Sequence, residues 1–415
     1  MNIRSIFLGL CLSVIACVGY SDSADNKVNN FLVISDIHLD VLSTHLMDLS
    51  PATVTILNDL DVTTFNSLMS EIKQGIENGT VSKPKFIIIL GDLVAHHLFS
   101  AEAVINNESY IFNYLKKNFP TTPLLYTFGN NDSLSADYGL FSATDRADAI
   151  KSPYDVAMKN ASWGDGFLST GTMCQQTPSV YPCIMTEDST NGYYSTYIAP
   201  KLELISINSV MFSPRRAQAD EHAAEAQLQW LRAELQKAQN NNDKVILTMH
   251  IPPGLNVYDN SPFWLQKESS DFLSIVNTFH NTIIGLLGSH THKDELKIIN
   301  NSEGTKIAGV YLIAGLSTFH GNAPSAKTFF YSDDSGAWRL TNYETFYFSK
   351  QNASPVLNKL YDYNSYYCTG QEKGLYECLG NVTVEKLNKY FSAGNLNFHE
   401  VINFPNDIVC TVPAS

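Results

Sequence analysis

Seven side chains with metal-binding donor atoms follow short apolar stretches at intervals along the chain. They are Asp36, His38, Asp92, Asn130, His250, His290 and His292. Their donors are carboxylate oxygens, one amide oxygen and imidazole nitrogens, with no thiolate among them. Such a set suits zinc, manganese or iron better than copper(I) or an iron–sulfur cluster. The sequence therefore predicts a metal centre with nitrogen and oxygen ligands.

The number of these donors indicates a pair of cations. One carboxylate can bridge two ions, and the other six donors can then be divided three and three. Two ions about 3.5–4 Å apart stabilise both the attacking and the leaving oxygen of an in-line displacement. They also lower the pKa of a bridging water, so that hydroxide exists near neutral pH. This chemistry suits the hydrolysis of a P–O bond, because the negative phosphoryl group repels an anionic nucleophile.

Apolar, β-rich stretches lie directly before the candidate ligands. The stretch 31–35 precedes Asp36, and the stretch 245–249 precedes His250. Short apolar runs of this kind, bounded by polar residues, indicate buried strands. The candidate ligands are therefore expected at the ends of strands.

Apolar residues at helical spacing lie between several of these strands, most clearly over 63–77 and 217–239. Strands that alternate with helices predict an α/β fold. In such folds ligands bind beyond the carboxyl ends of the strands. We therefore expect the seven side chains to meet in one place.

Each signal is weak when it is taken alone. An Asp-x-His sequence at a strand end more often forms a turn, and a lone histidine such as His250 more often has a structural role. The joint occurrence of all seven donors, each after an apolar stretch, is what favours a metal centre over these structural roles.

The motifs formed by these residues resemble those of the calcineurin-like metallophosphoesterase superfamily. They are Asp36-x-His38, Gly91-Asp92, Gly129-Asn130-x-Asp132, His250 and His290-x-His292. The longer sequences Gly91-Asp-Leu-Val-Ala-His96 and His250-Ile-Pro-Pro-Gly254 are similar to the acid sphingomyelinase-like branch, and endopolyphosphatase-like members are also similar.

The resemblance covers about residues 28–350 and implies a fold and a domain order. The implied fold is α/β, with a central mixed β-sandwich flanked by helices in four layers. A metallophosphoesterase catalytic domain is expected over 26–350. Beyond the resemblance, a helical run over 384–391 predicts a small, mainly helical C-terminal subdomain over 351–415.

The resemblance also implies how the donors are divided. The first cation position is formed by Asp36, His38, Asp92 and His292. The second cation position is formed by Asp92, Asn130, His250 and His290, so that Asp92 is the bridge. We expect two divalent ions, zinc in the first place, with manganese or iron as alternatives.

A proton donor is implied in the same way. His96 matches the histidine that lies near the phosphate in the branch, and it would donate a proton to the leaving oxygen or stabilise the transition-state charge. The neighbouring His97 is the competing candidate. Phe319 and His320 are expected to border the substrate pocket.

Two residues depart from the pattern of the family. Many relatives have histidine where this chain has Asn131, and an amide cannot donate a proton as imidazolium does, so that His96 bears more weight. Endopolyphosphatase-like members share asparagine at this place. Ser289 stands where the motif usually has glycine, and its side chain is expected to shift the loop slightly.

The acidic balance of the chain limits the range of substrates. Aspartate and glutamate number 41 against 27 lysines and arginines, a formal charge of −14, which argues against a nucleic-acid duplex as partner. A small phosphodiester, a nucleotide or a phospholipid headgroup remains compatible with metal capture.

These substrates define the expected function and its alternatives. We expect a secreted hydrolase that cleaves phosphodiesters or nucleotides through a metal-bridging hydroxide. Endopolyphosphatase or sphingomyelin phosphodiesterase is the alternative, and a non-catalytic binding protein is the third. Soluble substrates are favoured over sphingomyelin, because no lipid-docking segment is visible between Asn26 and Phe31.

The N-terminus has the pattern of an export signal. Arg4 precedes an apolar run over 6–18, which predicts a signal peptide over 1–22 and a secreted, periplasmic or extracellular location. Residues 14–17 also match a bacterial lipobox, in which Cys17 would carry a lipid anchor, or else Cys17 is discarded with the signal. No segment has the roughly 18 apolar residues that a transmembrane span requires.

Five cysteines follow the signal. The short-range pairs Cys174 with Cys183 and Cys368 with Cys378 are the expected disulfides, since export favours them, and Cys410 is left over.

Overall fold

The computed structural model describes residues 29–43, 59–98, 100–164, 166–218, 220–334, 336–351, 354–370, 374–394 and 409–413. The predicted signal peptide, residues 1–22 with Cys17, lies outside this part of the chain. None of the helices within the described part is long and apolar enough to cross a membrane.

Sixteen strands and seven α-helices make up the described part. The strands are β1 (Asn29–Ile34), β2 (Leu39–Asp40), β3 (Leu60–Asp61), β4 (Ile87–Ile89), β5 (Leu124–Tyr126), β6 (Cys183–Asp188), β7 (Tyr193–Ala199), β8 (Leu202–Ser206), β9 (Lys244–Thr248), β10 (Ile283–Gly288), β11 (Leu296–Asn300), β12 (Lys306–Leu312), β13 (Ser325–Ser332), β14 (Arg339–Gln351), β15 (Ser354–Asp362) and β16 (Val409–Thr411). The helices are α1 (Val62–Asn78), α2 (Ala101–Asn118), α3 (Pro153–Asp155), α4 (Asp220–Asn241), α5 (Gln266–Phe279), α6 (Tyr363–Tyr367) and α7 (Val384–Tyr390).

Two mixed sheets form the centre of the protein. One has six strands in the order β15-β14-β13-β1-β4-β5, and the other has eight in the order β16-β11-β12-β10-β9-β8-β7-β6. In the first sheet β1, β4 and β5 are parallel, whereas β13, β14 and β15 are antiparallel to their neighbours. The second sheet has a parallel centre, in which β8, β9, β10 and β12 pair in order.

Alternate side chains of the strands belong to two different cores. On β1, Phe31 and Val33 join the core between the sheets, whereas Leu32 and Ile34 join the core shared with the helices. This alternation follows from the two-residue period of a strand. It produces helix, sheet, sheet and helix layers, and so confirms the predicted α/β fold with a central mixed β-sandwich.

Helix α1 shows how local sequence sets an element. The Asp61 carboxylate accepts hydrogen bonds from the first turn and begins the helix, and Gly79 in the left-handed region (φ 83°) ends it. Phe65, Leu68 and Ile72 form its buried face, as their spacing predicts.

The segment after residue 350 extends both sheets. Besides the short helices α6 and α7 it contains β15, which pairs along β14, and β16, which pairs with β11. The expected boundary between 350 and 351 therefore falls within the β14–β15 hairpin. Local sequence did not indicate this pairing, because the open edge of β14 is a tertiary feature.

Both expected disulfides are present. Cys174 is bonded to Cys183 and Cys368 to Cys378. Cys410 is free and buried.

Phe31 is expected to be a major source of stability between the sheets. Its ring is fully buried and stacks on Phe86 at 5.0 Å and on Phe329 at 5.4 Å between centroids. Phe31→Ala should lower the free energy of unfolding by about 3–5 kcal/mol, since it leaves a cavity in a closely packed core. Denaturation with guanidinium chloride measures this. Tyr376→Ala, at a ring that is 54% exposed, is the matched control, and equal losses in the two variants would contradict the prediction.

Candidate metal centre

The loops that follow five strands bring the candidate ligands to one place. Asp36 and His38 follow β1, Asp92 follows β4, Asn130 follows β5, His250 follows β9, and His290 and His292 follow β10. Three groups have ligand atoms within 4.8 Å of one another: Asp36, His38 and Asp92; Asp92, His250 and His290; and His38, His96 and His292. Asn130 lines the same cavity as Asp92 and His290.

Asp92 lies between the two sets of ligands. Its Oδ2 is 3.1 Å from His250 Nε2 and 3.7 Å from His38 Nε2. On the first side, His38 Nε2 is 3.1 Å from His292 Nε2. On the second side, His250 Nε2 is 3.3 Å from His290 Nδ1. A carboxylate at this place is in position to bridge two cations.

Several buried oxygens of the site lack a hydrogen-bond partner. Among the described residues, Asn130 Oδ1 accepts no hydrogen bond. The Asp36 carboxylate accepts none of normal length, and its Oδ1 lies 3.6 Å from His292 Nε2. Buried polar atoms are normally paired, since leaving them unpaired is costly. Hard oxygen and imidazole donors facing one point fit divalent cations, which would satisfy these oxygens.

The electrostatics favour neutral imidazoles at three positions. Burial lowers the pKa of His38 and of His290 to about 3, and it lowers the pKa of His292 well below its usual value. Neutral imidazole is the form that binds a metal. These rings are therefore held in the state a cation requires.

Asp92 and His250 behave as an ion pair. Burial by itself lowers the pKa of His250, but the adjacent Asp92 carboxylate outweighs burial and raises the pKa to about 9. Burial likewise opposes ionisation of Asp92, but His250 and His38 hold the pKa of Asp92 well below its usual range. A cation at the second position therefore competes with a proton on His250.

Five of the seven candidate ligands have left-handed backbones although none is glycine. They are Asp36, His38, Asp92, His290 and His292, with φ between 45° and 78°. Such conformations cost about 1–3 kcal/mol each and are concentrated at functional sites. Their concentration here supports a functional centre, and no sequence pattern indicates it.

Two glycines allow the ligand loops to approach each other. A Cβ on Gly91 would lie 2.5 Å from Gly129 N, and a Cβ on Gly129 would lie 2.2 Å from Asp92 N. The Asp132 carboxylate joins the same loops, since it accepts from Asp92 N at 3.0 Å and from Gly129 N at 2.9 Å. The Gly-Asp and Gly-Asn-x-Asp motifs thus form one interlocked unit.

Backbone carbonyls orient two of the imidazoles. His38 Nδ1 is 3.0 Å from Val94 O, and His250 Nδ1 is 2.6 Å from Leu90 O. Each ring thereby turns its Nε2 towards the centre. Ser289 is accommodated, because its Oγ hydrogen-bonds His250 Nδ1 at 2.9 Å.

His96 lies at the mouth of the site with a carboxylate behind it. Its Nδ1 is 2.8 Å from Asp59 Oδ1, and its backbone N–H donates to Asp59 Oδ2 at 2.9 Å. The ring stacks between His38 and Phe319, at 3.8 Å from each between centroids. His97 is 60% exposed, and its ring lies 3.1 Å from Asp40 Oδ2 and 3.5 Å from Asp59 Oδ2. Among the described residues it is not part of the cavity lining.

A cavity of about 580 Å³ opens in front of the candidate ligands. Phe319 and His320 line it, as the resemblance implies. Tyr258 lies on the same wall and stacks on His320 at 5.0 Å between centroids. Arg215 is the one lysine or arginine among the lining residues that the structure describes.

Sequence reasoning missed several residues around the site. Asp59, Asp137, Tyr138, Arg215 and Tyr258 lie in no motif and follow no apolar run that points to them. They reach the site through tertiary contacts.

Comparisons with known proteins agree with the geometry. A sequence model of the calcineurin-like phosphoesterase family matches residues 30–294. The chain is 27% identical over 246 residues to sphingomyelin phosphodiesterase 2 of Caenorhabditis elegans, which covers 58% of this chain and 36% of that protein. It is 24% identical to sphingomyelin phosphodiesterase of Bos taurus, over 65% of this chain and 40% of that protein.

A third relative has a different named substrate. The chain is 21% identical to the cyclic GMP-AMP phosphodiesterase of Bos taurus, over 66% of this chain and 58% of that protein. The chain thus spans about two fifths of the two sphingomyelin phosphodiesterases and less than two thirds of this relative. A dimetal phosphatase from Danio rerio superimposes with a TM-score of 0.43 at 10% identity, over 80% of this chain and 98% of that one. The predicted resemblance to the superfamily and to its acid sphingomyelinase-like branch is confirmed.

Proposed function

The chain belongs to the calcineurin-like phosphoesterase family, and on this premise we propose that it is a metal-dependent phosphodiesterase. The observation that carries the proposal is the place of Asp92, whose Oδ2 lies between His250 Nε2 at 3.1 Å and His38 Nε2 at 3.7 Å. The seven predicted ligands would hold two divalent ions, with zinc expected before manganese or iron. His96 would be the catalytic proton donor.

Two bound divalent ions would supply charge stabilisation for the phosphoryl group and a nucleophilic water near neutral pH. The chain itself provides their ligands and the proton for the leaving oxygen. Asp59 holds His96 through Nδ1, so that Nε2 is the nitrogen that donates. Burial opposes ionisation of Asp59, but the hydrogen bond from His96 lowers the pKa of Asp59, so that it faces the imidazole as a carboxylate.

Asn131 cannot act as a second proton donor, and this makes His96 more important in the proposed mechanism. The backbone N–H of Asn131 donates to Asp92 Oδ1 at 2.8 Å, and its side-chain oxygen accepts from Asn130 Nδ2 at 3.2 Å. An amide in this place helps to hold the ligands but carries no acidic proton. His96 is therefore the donor on which turnover depends.

The cavity supports a soluble phosphodiester or nucleotide as substrate. Tyr258 is 38% exposed and presents a flat ring beside His320, as a stacking platform for a nucleobase does. Arg215 offers one cation, while Asp137 and Asp259 add carboxylates to the same lining. A single guanidinium among carboxylates disfavours long polyphosphate, which needs an extended positive surface.

We expect a substrate panel to separate these classes. Metal-loaded protein should hydrolyse a dinucleotide or a nucleoside triphosphate with higher kcat/KM than sphingomyelin in detergent or polyphosphate. Tyr258→Ala should lower kcat/KM for the dinucleotide by about 5- to 150-fold, because stacking on a base contributes about 1–3 kcal/mol. Tyr258→Phe is the matched control, since it keeps the ring and removes only the hydroxyl that donates to Thr291 O at 2.6 Å. Preference for sphingomyelin, or equal losses in both variants, would contradict this substrate class.

The location and domain order are part of the proposal. Two disulfides are typical of an oxidising compartment, which supports export by the predicted signal peptide over 1–22. Either Cys17 carries a lipid anchor or it is removed with the signal peptide, and a catalytic domain over 26–350 is followed by a C-terminal subdomain over 351–415 that extends both sheets. Mass spectrometry of the mature N-terminus distinguishes an acylated Cys17 from a cleaved signal.

A further inference from the structure

A closed set of contacts joins two candidate ligands to a loop that carries no ligand itself. The loop follows the short 3₁₀ turn Asn130–Asp132 and contains Asp137 and Tyr138. Arg215, from the segment before α4, contacts both of these residues. The family motifs in this sequence include none of these three side chains.

Asp137 fixes the orientation of the Asn130 amide. Asn130 Nδ2 donates to Asp137 Oδ1 at 2.9 Å. Asn130 Nδ2 also donates to Asn131 Oδ1 at 3.2 Å, but the bond to the Asp137 carboxylate is shorter and charge-assisted, so Asp137 contributes most to deciding which end of the amide faces the centre. The other end is Oδ1, which is buried and accepts no hydrogen bond from the described residues. Asp137 therefore presents the Asn130 oxygen as a ligand.

Tyr138 fixes the orientation of the His290 ring. Its hydroxyl lies 3.3 Å from His290 Nε2, and the two rings meet edge to face at 6.3 Å between centroids. A metal-binding imidazole usually donates the N–H of its second ring nitrogen to an acceptor, and this hydrogen bond sets the tautomer and the orientation of the ring. With Nε2 directed to Tyr138, the Nδ1 lone pair faces His250 Nε2 at 3.3 Å.

Arg215 and the backbone hold the loop in place. Arg215 Nη2 donates to Asp137 Oδ2 at 2.8 Å, and its Cζ lies 4.1 Å from the centroid of the Tyr138 ring. Tyr138 has φ 57° and donates its N–H to Asn130 O at 2.9 Å. The Arg215 side chain is 65% exposed, and an ion pair this open contributes little to the free energy of unfolding. Its effect is therefore on orientation more than on stability.

We propose that Asp137 and Tyr138 are positioning residues that set the cation affinity of the second position alone. Both of the ligands they orient, Asn130 and His290, belong to that position, and the contacts described above reach none of the ligands particular to the first. The inference rests on the proposed function, because it requires a two-cation centre.

Zinc titration of the metal-free protein, in competition with a chromophoric chelator, tests the proposal. The unaltered protein should give two dissociation constants. Tyr138→Phe and Asp137→Ala should each raise one of them by about 10- to 100-fold and leave the other unchanged, as is typical when a group that orients a metal ligand is lost. Asp137→Asn, which keeps an oxygen for Asn130 Nδ2, should recover most of the loss.

Tyr110→Phe is the matched control. Its hydroxyl donates to Asn66 Oδ1 at 3.0 Å between α2 and α1, so the same chemical change is made outside the cavity lining. Both dissociation constants should stay as in the unaltered protein, and circular dichroism checks that every variant is folded. Equal weakening of both positions, no change in either, or equal losses in Asp137→Asn and Asp137→Ala would overturn the inference while the two-cation centre stands. Fewer than two ions in the unaltered protein would overturn both.

Discussion

Replacing Asp92 by alanine is expected to abolish phosphodiesterase activity and to reduce bound metal from two ions per chain. The carboxylate is shared, since its Oδ2 lies 3.7 Å from His38 Nε2 and 3.1 Å from His250 Nε2, and Asp92 belongs to both groups of ligand atoms. Metal stabilisation of a phosphoryl transition state contributes several kcal/mol. At 1.36 kcal/mol for each tenfold in rate, kcat/KM should fall by about 10³-fold or more. Hydrolysis of bis-p-nitrophenyl phosphate together with elemental analysis measures both effects.

Two further variants separate the charge of Asp92 from its shape. Asp92→Asn keeps an oxygen for the Asn131 N–H, which lies 2.8 Å from Oδ1, but removes the charge. It should lose metal nearly as completely as Asp92→Ala while the loop stays in place. Asp148→Ala deletes an exposed carboxylate that pairs with Arg146, and it should change neither activity nor metal content. Near-normal turnover with two ions bound in Asp92→Ala would refute the bridging assignment.

The convergence of the candidate ligands could be predicted from sequence because they closely follow their strands. Asp36 comes two residues after β1, and His250 comes two residues after β9, so local pattern and position coincide. Asp59 and Arg215 reach the site from segments with no such pattern, and only the folded chain places them there. The left-handed backbone conformations of Asp36 and His292 could not be predicted from the sequence either, because only a glycine would have indicated a positive φ at these positions.

The fold shows the same division between local and tertiary information. The apolar run over 31–35 predicted β1, and the helical spacing over 63–77 predicted α1 and its buried face. The pairing of β15 with β14 did not follow, since which strand edge is open depends on the whole sheet. The helical subdomain was expected because of the short helical run that forms α7 (Val384–Tyr390). Strand β15, which precedes α7, forms by pairing with β14, and the local sequence does not show this pairing.

His96→Ala is expected to keep both cations and to lower kcat by about 10²- to 10⁴-fold, the usual range for losing a general acid. The reason is the position of the ring, held through Nδ1 by Asp59 at 2.8 Å at the mouth of the cavity. The loss should be large for a dinucleotide, whose alkoxide leaves poorly, and small for a p-nitrophenyl ester, whose leaving group needs no proton. Asp59→Asn should give an intermediate loss with the same dependence on the leaving group. Steady-state kinetics on the two substrates measures this dependence.

The metal content of His96→Ala decides between two roles for this ring. His96 also lies within 4.8 Å of the ligand atoms of His38 and His292, where an imidazole backed by a carboxylate can bind a cation. If His96 were a ligand, the variant would lose metal, and both substrates would be slowed alike. His97→Ala is the matched control, because His97 is 60% exposed and outside the described cavity lining. Its Nδ1 is 3.5 Å from Asp59 Oδ2, so it should lower kcat far less than His96→Ala does. Two ions retained, with a loss confined to the poor leaving group, is the result that only a proton donor gives.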